Sequence, residues 1–226
     1  MSDSIALDGL LANLALPIEP EVLYQKLGEF LKGRDPYDFV ADQNAQKARD
    51  CWIASKFLLA HAEKSRRRYQ VTKLMTKAPD IEYREMVGSC ESLSIEAGEL
   101  LSPSYKRSEE YRKNKMEREA CERSGRAYNP ADKELSTEFL ENERIQFPVV
   151  ASGILRRKLG KDYGADCTLV LYVNMWLFED APIRKFAETY QLPARVRFKE
   201  IWFLYGETII PLKEHIIRSS AAEGRN

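Results

Sequence analysis

The sequence is poor in the side chains that build metal and disulfide frameworks. It has four cysteines and two histidines in 226 residues. The cysteines stand at positions 51, 90, 121 and 167, and no two of them form a Cys-x-x-Cys pair. Such spacing disfavours a structural zinc site and a disulfide framework. It is typical of a protein from a reducing compartment, so the sequence predicts a cytoplasmic location.

Long apolar runs and a net charge are also missing. The longest apolar run is too short to cross a membrane, and an N-terminus with Asp3 and Asp8 but no basic start does not resemble a signal peptide. The 35 basic residues balance the 35 acidic ones, so attraction to nucleic acid must come from local patches. There is no glycine-rich phosphate loop, and neither His61 nor His215 accompanies a nucleophile motif, which argues against a triad hydrolase.

The pattern of apolar residues predicts a mixed succession of helices and strands. Helices are expected over 5–32 (divided by Pro17 and Pro20), 44–66, 105–126, 137–160 and 180–190, and strands over 69–76, 79–84, 94–99, 168–173 and 201–205. This order predicts a layered α/β fold. We expect an N-terminal helical extension over 1–43, an α/β domain over 44–215 and a polar tail over 216–226.

A predicted hairpin carries the strongest functional signal. If its arms turn about Gly88, Asp80 lies directly opposite Glu96, and directly opposed residues point to the same face. Two adjacent carboxylates repel each other unless a cation lies between them or one is protonated. Hard oxygen ligands of this kind suit Mg²⁺ or Mn²⁺, so Asp80 and Glu96 are candidate metal ligands.

These residues and their order resemble the PD-(D/E)xK core of restriction-endonuclease-like proteins. Pro79-Asp80 opens one strand, and Glu96 lies on the next strand. The resemblance implies a restriction-endonuclease-like mixed sheet flanked by helices, in which the aspartate and the glutamate bind a metal ion. It also implies a metal-dependent nuclease that acts on DNA, or a degenerate relative that binds DNA.

The resemblance further implies a lysine two residues after the glutamate, which positions the attacking water, but this sequence has Gly98 there. Lys106 or Arg107 on the following helix is the expected substitute. Members of the superfamily often take a further acid from the helix before the strands, and here Glu63 or Asp50 would supply it.

Three clusters of basic residues are candidate contacts for nucleic-acid phosphates. They belong to the ends of two predicted helices and to the middle of a third: Arg66 and Arg67, Arg112 and Lys115, Arg156 and Arg157. Convergence of all three clusters on the metal face would favour DNA binding. The alternative for each cluster is a solvated, self-paired helix surface.

A second resemblance leads to a different hypothesis. Segments such as 106–111, 161–164, 169–174 and 198–205 resemble uncharacterised bacterial and prophage proteins, which imply a layout rather than an activity. The rival function is therefore a non-catalytic interaction protein of a mobile element. Its leucine-rich N-terminal helices would then form a homo-oligomer.

Overall fold

The computed structural model describes residues 14–32, 43–75, 77–87, 92–103, 107–127 and 136–213. Helices and strands alternate along these residues. Their bounds are α1 Pro20–Lys32, α2 Gln43–Ser65, β1 Tyr69–Leu74, β2 Ile81–Glu85, β3 Leu93–Leu101, α3 Arg107–Arg123, α4 Thr137–Leu159, β4 Cys167–Asn174, α5 Ala181–Thr189, β5 Glu200–Tyr205 and β6 Thr208–Lys213.

One mixed sheet of six strands organises the fold, with a spatial order that follows the sequence from β1 to β6. β1, β2 and β3 are antiparallel neighbours, β3, β4 and β5 are parallel, and β6 is antiparallel to β5. Parallel neighbours require crossover connections. Helices α3 and α4 provide the first of these and α5 the second. The predicted α/β class, a mixed sheet flanked by helices, is thereby confirmed.

Helices cover both faces of this sheet. α1 and α2 share one apolar core with β1 and β2, whereas α4 and α5 pack on the other face against β4 and β5. Leu23 and Leu27 of α1 are fully buried in the first core, and Ile18 pairs with Val71 of β1 in an isolated bridge. The described part of the N-terminal extension is therefore integrated into the domain.

The helical phase of α2 places its first turns against the sheet. Cys51, Ala54 and Leu58 are fully buried, which fixes the face that meets the core. Lys47 and Asp50 each precede one of these buried residues by four positions, so both lie along the same face. The helix ends where Arg66 adopts a left-handed conformation (φ 57°).

A stripe of buried residues likewise orients α4, so that its C-terminal turn lies towards the sheet. The hydroxyl of Ser136 caps its first turn by accepting a hydrogen bond from the Phe139 amide at 3.1 Å. The buried residues recur every four positions along one stripe: Glu143, Phe147, Ala151 and Leu155. Lys158 follows Leu155 by three residues and therefore continues this stripe. The helix continues through Pro148, although proline inside a helix usually breaks or kinks it.

The observed elements differ from the predictions mainly near the C-terminus. β6 was not predicted. It forms because Gly206, with φ of 56°, turns the chain back onto β5. The predicted helix before Pro17 (residues 5–13), the hairpin turn at 88–91 and the tail at 216–226 lie outside the described residues. Among the described helices, none is long and apolar enough to cross a membrane.

Candidate functional site

The predicted hairpin register is confirmed. Ile81 pairs with Ile95 and Tyr83 with Leu93. Asp80 lies one position before the first of these pairs, and its amide donates to the carbonyl of Ile95 at 2.7 Å. The register therefore brings Asp80 beside Glu96 at the point where β2 begins.

The Asp80 carboxylate is buried and held by two donors. Its Oδ2 atom accepts a hydrogen bond from the Ala97 amide at 2.7 Å, and its Oδ1 atom lies 2.6 Å from the ammonium of Lys47. Only 6% of the residue is exposed. The backbone of β3 and the first turns of α2 thus fix the position of this carboxylate.

Glu96 is buried to the same extent and pairs with a lysine from the other face of the sheet. Its Oε1 atom lies 2.5 Å from the Lys158 ammonium, which also donates to the Ala97 carbonyl at 3.1 Å. The second oxygen, Oε2, is buried and has no hydrogen-bond partner among the described residues. A buried carboxylate oxygen without a partner carries a desolvation cost that a cation would remove.

Lys158 occupies the space that a side chain at position 98 would fill. A Cβ atom placed on Gly98 would lie 3.5 Å from Cε and 3.9 Å from Nζ of Lys158. The same Cβ would approach Cδ2 of Leu171 at 3.1 Å. The lysine expected on β3 is thus absent from that strand, while an ammonium from α4 lies where it would have been.

A third carboxylate adjoins this pair. Burial, and then repulsion from Asp80, raises the pKa of Asp50 on α2 to about 7. Burial and the same Asp80 charge also raise the pKa of Glu96, whereas Lys158 lowers it. Asp80 thus interacts electrostatically with both Asp50 and Glu96, and Arg49, Lys47 and Lys158 offset part of this repulsion.

Aromatic side chains enclose the site near the end of α4. The Lys158 ammonium lies 5.8 Å from the centre of the Tyr163 ring, which stacks on Phe198 at 5.2 Å. Burial, followed by the neighbouring Glu96 charge, raises the pKa of Tyr163 to about 12. The phenol therefore stays protonated at neutral pH and remains a hydrogen-bond donor.

Glu63, another predicted site residue, does not lie beside Asp80 and Glu96. Glu63 is exposed, and the run from Asp50 to Glu63 along α2 spans about 20 Å at the usual helical rise. This distance corrects the assignment of Glu63 as a ligand of the pair, and Asp50 is the helix acid that does adjoin it. Lys106 and the side chain of Arg107 lie outside the described residues.

The basic clusters do not all converge. Arg156 and Arg157 are exposed in the last turn of α4, directly before Lys158. Arg66 and Arg67 are exposed at the far end of α2, about 24 Å from Asp50 along the helix. This distance separates Arg66 and Arg67 from the carboxylate pair, so the three clusters do not all meet at one face.

The third cluster lies on α3, none of whose described side chains is buried. Arg112 is exposed there, and Lys115 is half-buried and has partners. α3 also contains two ion pairs at i,i+4, Lys113 with Glu117 and Arg118 with Glu122. The helix therefore matches the solvated, self-paired surface that was the alternative for this cluster.

The carboxylates of Asp80 and Glu96 are suited to one hard cation that keeps some of its coordinated water molecules. In the described residues, no group of three or more His, Cys, Asp or Glu side chains is arranged to hold a metal ion. Mg²⁺, however, is commonly bound by one or two carboxylates together with waters and substrate phosphates. The unpartnered Oε2 of Glu96 beside Asp80 fits that mode.

Sequence reasoning missed Lys47 and the role of Lys158. In the sequence, Lys158 directly follows Arg156 and Arg157 and resembles a further member of that basic cluster. Its signal was the helical phase, because Phe147, Ala151 and Leu155 put position 158 on the buried side whereas Arg156 and Arg157 fall outside it. Comparisons with family models, with curated proteins and with solved structures gave no match for this chain.

Proposed function

We propose that this protein is a divalent-metal-dependent nuclease built on a restriction-endonuclease-like core. One observation carries the proposal: the Lys158 ammonium lies in the side-chain space of Gly98, 2.5 Å from Glu96. This arrangement supplies from α4 the lysine that the PD-(D/E)xK pattern places on the strand. The order of α2, β1, β2 and β3 followed by the parallel β4 is consistent with the same resemblance.

Each residue of the cluster has a role that its contacts support. Asp80 and Glu96 would hold the cation, and Asp50 adds negative charge close to Asp80. Such a cation lowers the pKa of a bound water and stabilises negative charge on a phosphoryl oxygen. The Ala97 amide orients Asp80, and Lys158 is held between Glu96 and the Ala97 carbonyl. From there the ammonium would orient the attacking water and offset charge that develops on the phosphate.

The second candidate is the non-catalytic interaction protein, which one observation favours. Asp80 and Glu96 each already have a lysine partner. Buried ion pairs of this kind also occur as purely structural contacts. The homo-oligomer proposed through the N-terminal helices has less support, because Leu23 and Leu27 of α1 are buried within the chain itself.

A plasmid-nicking assay distinguishes the two candidates. We expect the wild type to nick DNA with Mg²⁺ or Mn²⁺ and to stop when the metal is chelated. Asp80→Asn and Lys158→Met should each reduce the rate at least about 100-fold, because each removes a charge from the reacting centre. Glu82→Gln is the matched control, since Glu82 is a half-buried acid on the same strand that faces Lys73 instead.

Two outcomes would contradict the nuclease proposal. One is nicking that survives in Asp80→Asn at the wild-type rate. The other is a folded wild type that neither nicks DNA nor cleaves RNA with either metal. Thermal melting of each variant checks that lost activity is not lost folding.

A further inference from the structure

We infer that Lys47 is a displaceable counter-ion of Asp80, which moves to a phosphate oxygen of the nucleic acid when a divalent cation enters the site. This inference rests on the proposed function and adds a step that orders metal and substrate binding. It starts from the contrast between the two lysines of the cluster. Both are largely buried, yet they are held very differently.

Lys158 is fixed from several sides. Its ammonium contacts the Glu96 carboxylate, the Ala97 carbonyl and the face of Tyr163, and its chain passes through the gap at Gly98. Among the described residues, Lys47 makes a single hydrogen bond, at 2.6 Å to Asp80 Oδ1. The exposed fractions of the two side chains are similar, 20% for Lys47 and 17% for Lys158, so the lysines differ in their contacts and not in their exposure.

The position of Lys47 conflicts with a cation at Asp80. Oδ2 of Asp80 accepts from the Ala97 amide, which the β3 backbone holds in place, so Oδ1 is the oxygen whose present partner can move away for a metal. The Lys47 ammonium lies against this same oxygen. A divalent cation bound there would be only a few ångströms from the ammonium, where like charges repel strongly in a poorly solvated site. The lysine with fewer contacts is the one that leaves.

A phosphodiester is the natural destination of the released ammonium. The lysine stem is flexible and its head is a compact point charge with three donors. The nucleic-acid backbone would lie within reach, because its scissile phosphate must approach the cation at Asp80 and Glu96. Lys47 then stabilises the metal-free cluster in one state and the bound substrate in the other.

Substitutions at position 47 should shift metal affinity in opposite directions. Lys47→Met removes the competing charge, and we expect the Kd for Mn²⁺, measured by calorimetry without nucleic acid, to fall at least threefold. Lys47→Arg should raise that Kd, because a guanidinium binds a carboxylate through two donors and is harder to displace. Lys64→Met, at the other end of α2, is the matched control and should leave the Kd unchanged.

The KM for DNA tests the second half of the inference, that Lys47 moves to a phosphate oxygen of the nucleic acid. Lys47→Met should raise KM for duplex DNA about tenfold at saturating Mn²⁺, with a smaller change in kcat, since the phosphate contact is lost. A purely structural Lys47 predicts weaker Mn²⁺ binding in both variants, and that result overturns the inference. If Lys47→Met does not fold, Lys47→Gln takes its place, because it also removes the charge but keeps a polar end. A raised Kd for Mn²⁺ in folded Lys47→Gln overturns the inference.

Failure of the proposed function has a separate signature. In that case the folded wild type binds no Mn²⁺ and cleaves nothing, whatever residue stands at position 47. If the wild type binds Mn²⁺ and cleaves DNA while the Kd does not respond to position 47, the nuclease proposal stands and the inference on Lys47 is overturned.

Discussion

At the scale of single residues, the site is defined by a lysine that lies on a different element from the one the pattern names. Lys158 and Glu96 are 62 residues apart in the chain, yet their side chains are in contact. What the strand pattern requires is an ammonium at a point in space, and Gly98 leaves that point open for a side chain from α4. The sequence of β3 alone therefore lacks the lysine of the motif, whereas the folded protein has the Lys158 ammonium beside position 98.

Moving the lysine back to the strand should preserve the chemistry. Lys158→Ala is expected to abolish nicking, and Gly98→Lys combined with Lys158→Ala should restore a measurable part of it. With Lys158 truncated, the close contact of the new Cβ is Cδ2 of the buried Leu171 side chain at 3.1 Å, which must shift slightly to admit it. The control is Gly98→Ala with Lys158→Ala, which adds the Cβ without the ammonium. Equal nicking rates in the two double variants would refute the functional equivalence of positions 98 and 158.

Asp50 makes the stability of the protein depend on pH. Its pKa is raised to about 7 in the folded state, so the folded protein binds a proton more tightly there than the unfolded chain does. Stability from this group is present at low pH and is lost as the pH rises towards 7.

Asp50→Asn should remove this dependence. Between pH 5 and pH 8, with chelator present, the wild-type free energy of unfolding should fall relative to the variant by on the order of 2 kcal/mol. Urea unfolding at both pH values measures the difference. Parallel pH profiles for the two proteins would show that Asp50 is ionised throughout.

At the scale of elements, stripes of buried residues orient α2 and α4, the two helices whose lysines contact Asp80 and Glu96. The stripe of α4 is continuous across Pro148, since Phe147 and Ala151 on either side of it are fully buried. Proline lacks the amide that would donate to the carbonyl four residues earlier. Tertiary packing thus overrides a local signal that predicts a break.

Pro148→Ala should therefore stabilise the protein. Pro148 is exposed, so the change restores a helical hydrogen bond without disturbing the core. We expect a gain of about 1–2 kcal/mol and a Tm several degrees higher, as measured by calorimetry. Val149→Ala, at a neighbouring exposed position, should gain no more than about 0.5 kcal/mol from helix propensity. A lower Tm in Pro148→Ala would mean that the helix gains more from the restricted backbone of proline than it loses with the missing hydrogen bond.

The elements were largely predictable from local patterns, whereas the site was only half predictable. Apolar period and turn residues located β2 and β3, and the register then brought Asp80 to Glu96. β6 was not predicted because Pro211 lies inside Thr208–Lys213, and proline weakens the sequence signal of a strand; the segment pairs with β5. Lys47 and Lys158 were not predicted as site residues because packing between elements determines their partners. The helical phase of each lysine nevertheless places its charge on the buried side of its helix.

At the scale of the whole molecule, balanced charge means that nucleic acid must be attracted locally. The chain has no formal net charge, so its long-range field is weak. Of the basic clusters, Arg156 and Arg157 adjoin the site, whereas Arg66 and Arg67 lie at the opposite end of α2. Arg67 also pairs with Glu85 at 3.4 Å, which offsets part of its charge. The phosphate backbone should accordingly follow the C-terminal end of α4.

The salt dependence of DNA binding tests this path directly. Each phosphate contact releases counter-ions and contributes about 0.9 to the slope of log K against log salt. Arg156→Ala with Arg157→Ala should lower that slope by about 2 in fluorescence anisotropy on a short duplex. The matched pair, Arg66→Ala with Arg67→Ala, removes the same charge but should leave the slope unchanged. If both pairs lower the slope equally, binding is spread over the surface and is not directed to the site. If only the distant pair matters, the duplex lies along the far end of α2, out of reach of Asp80 and Glu96.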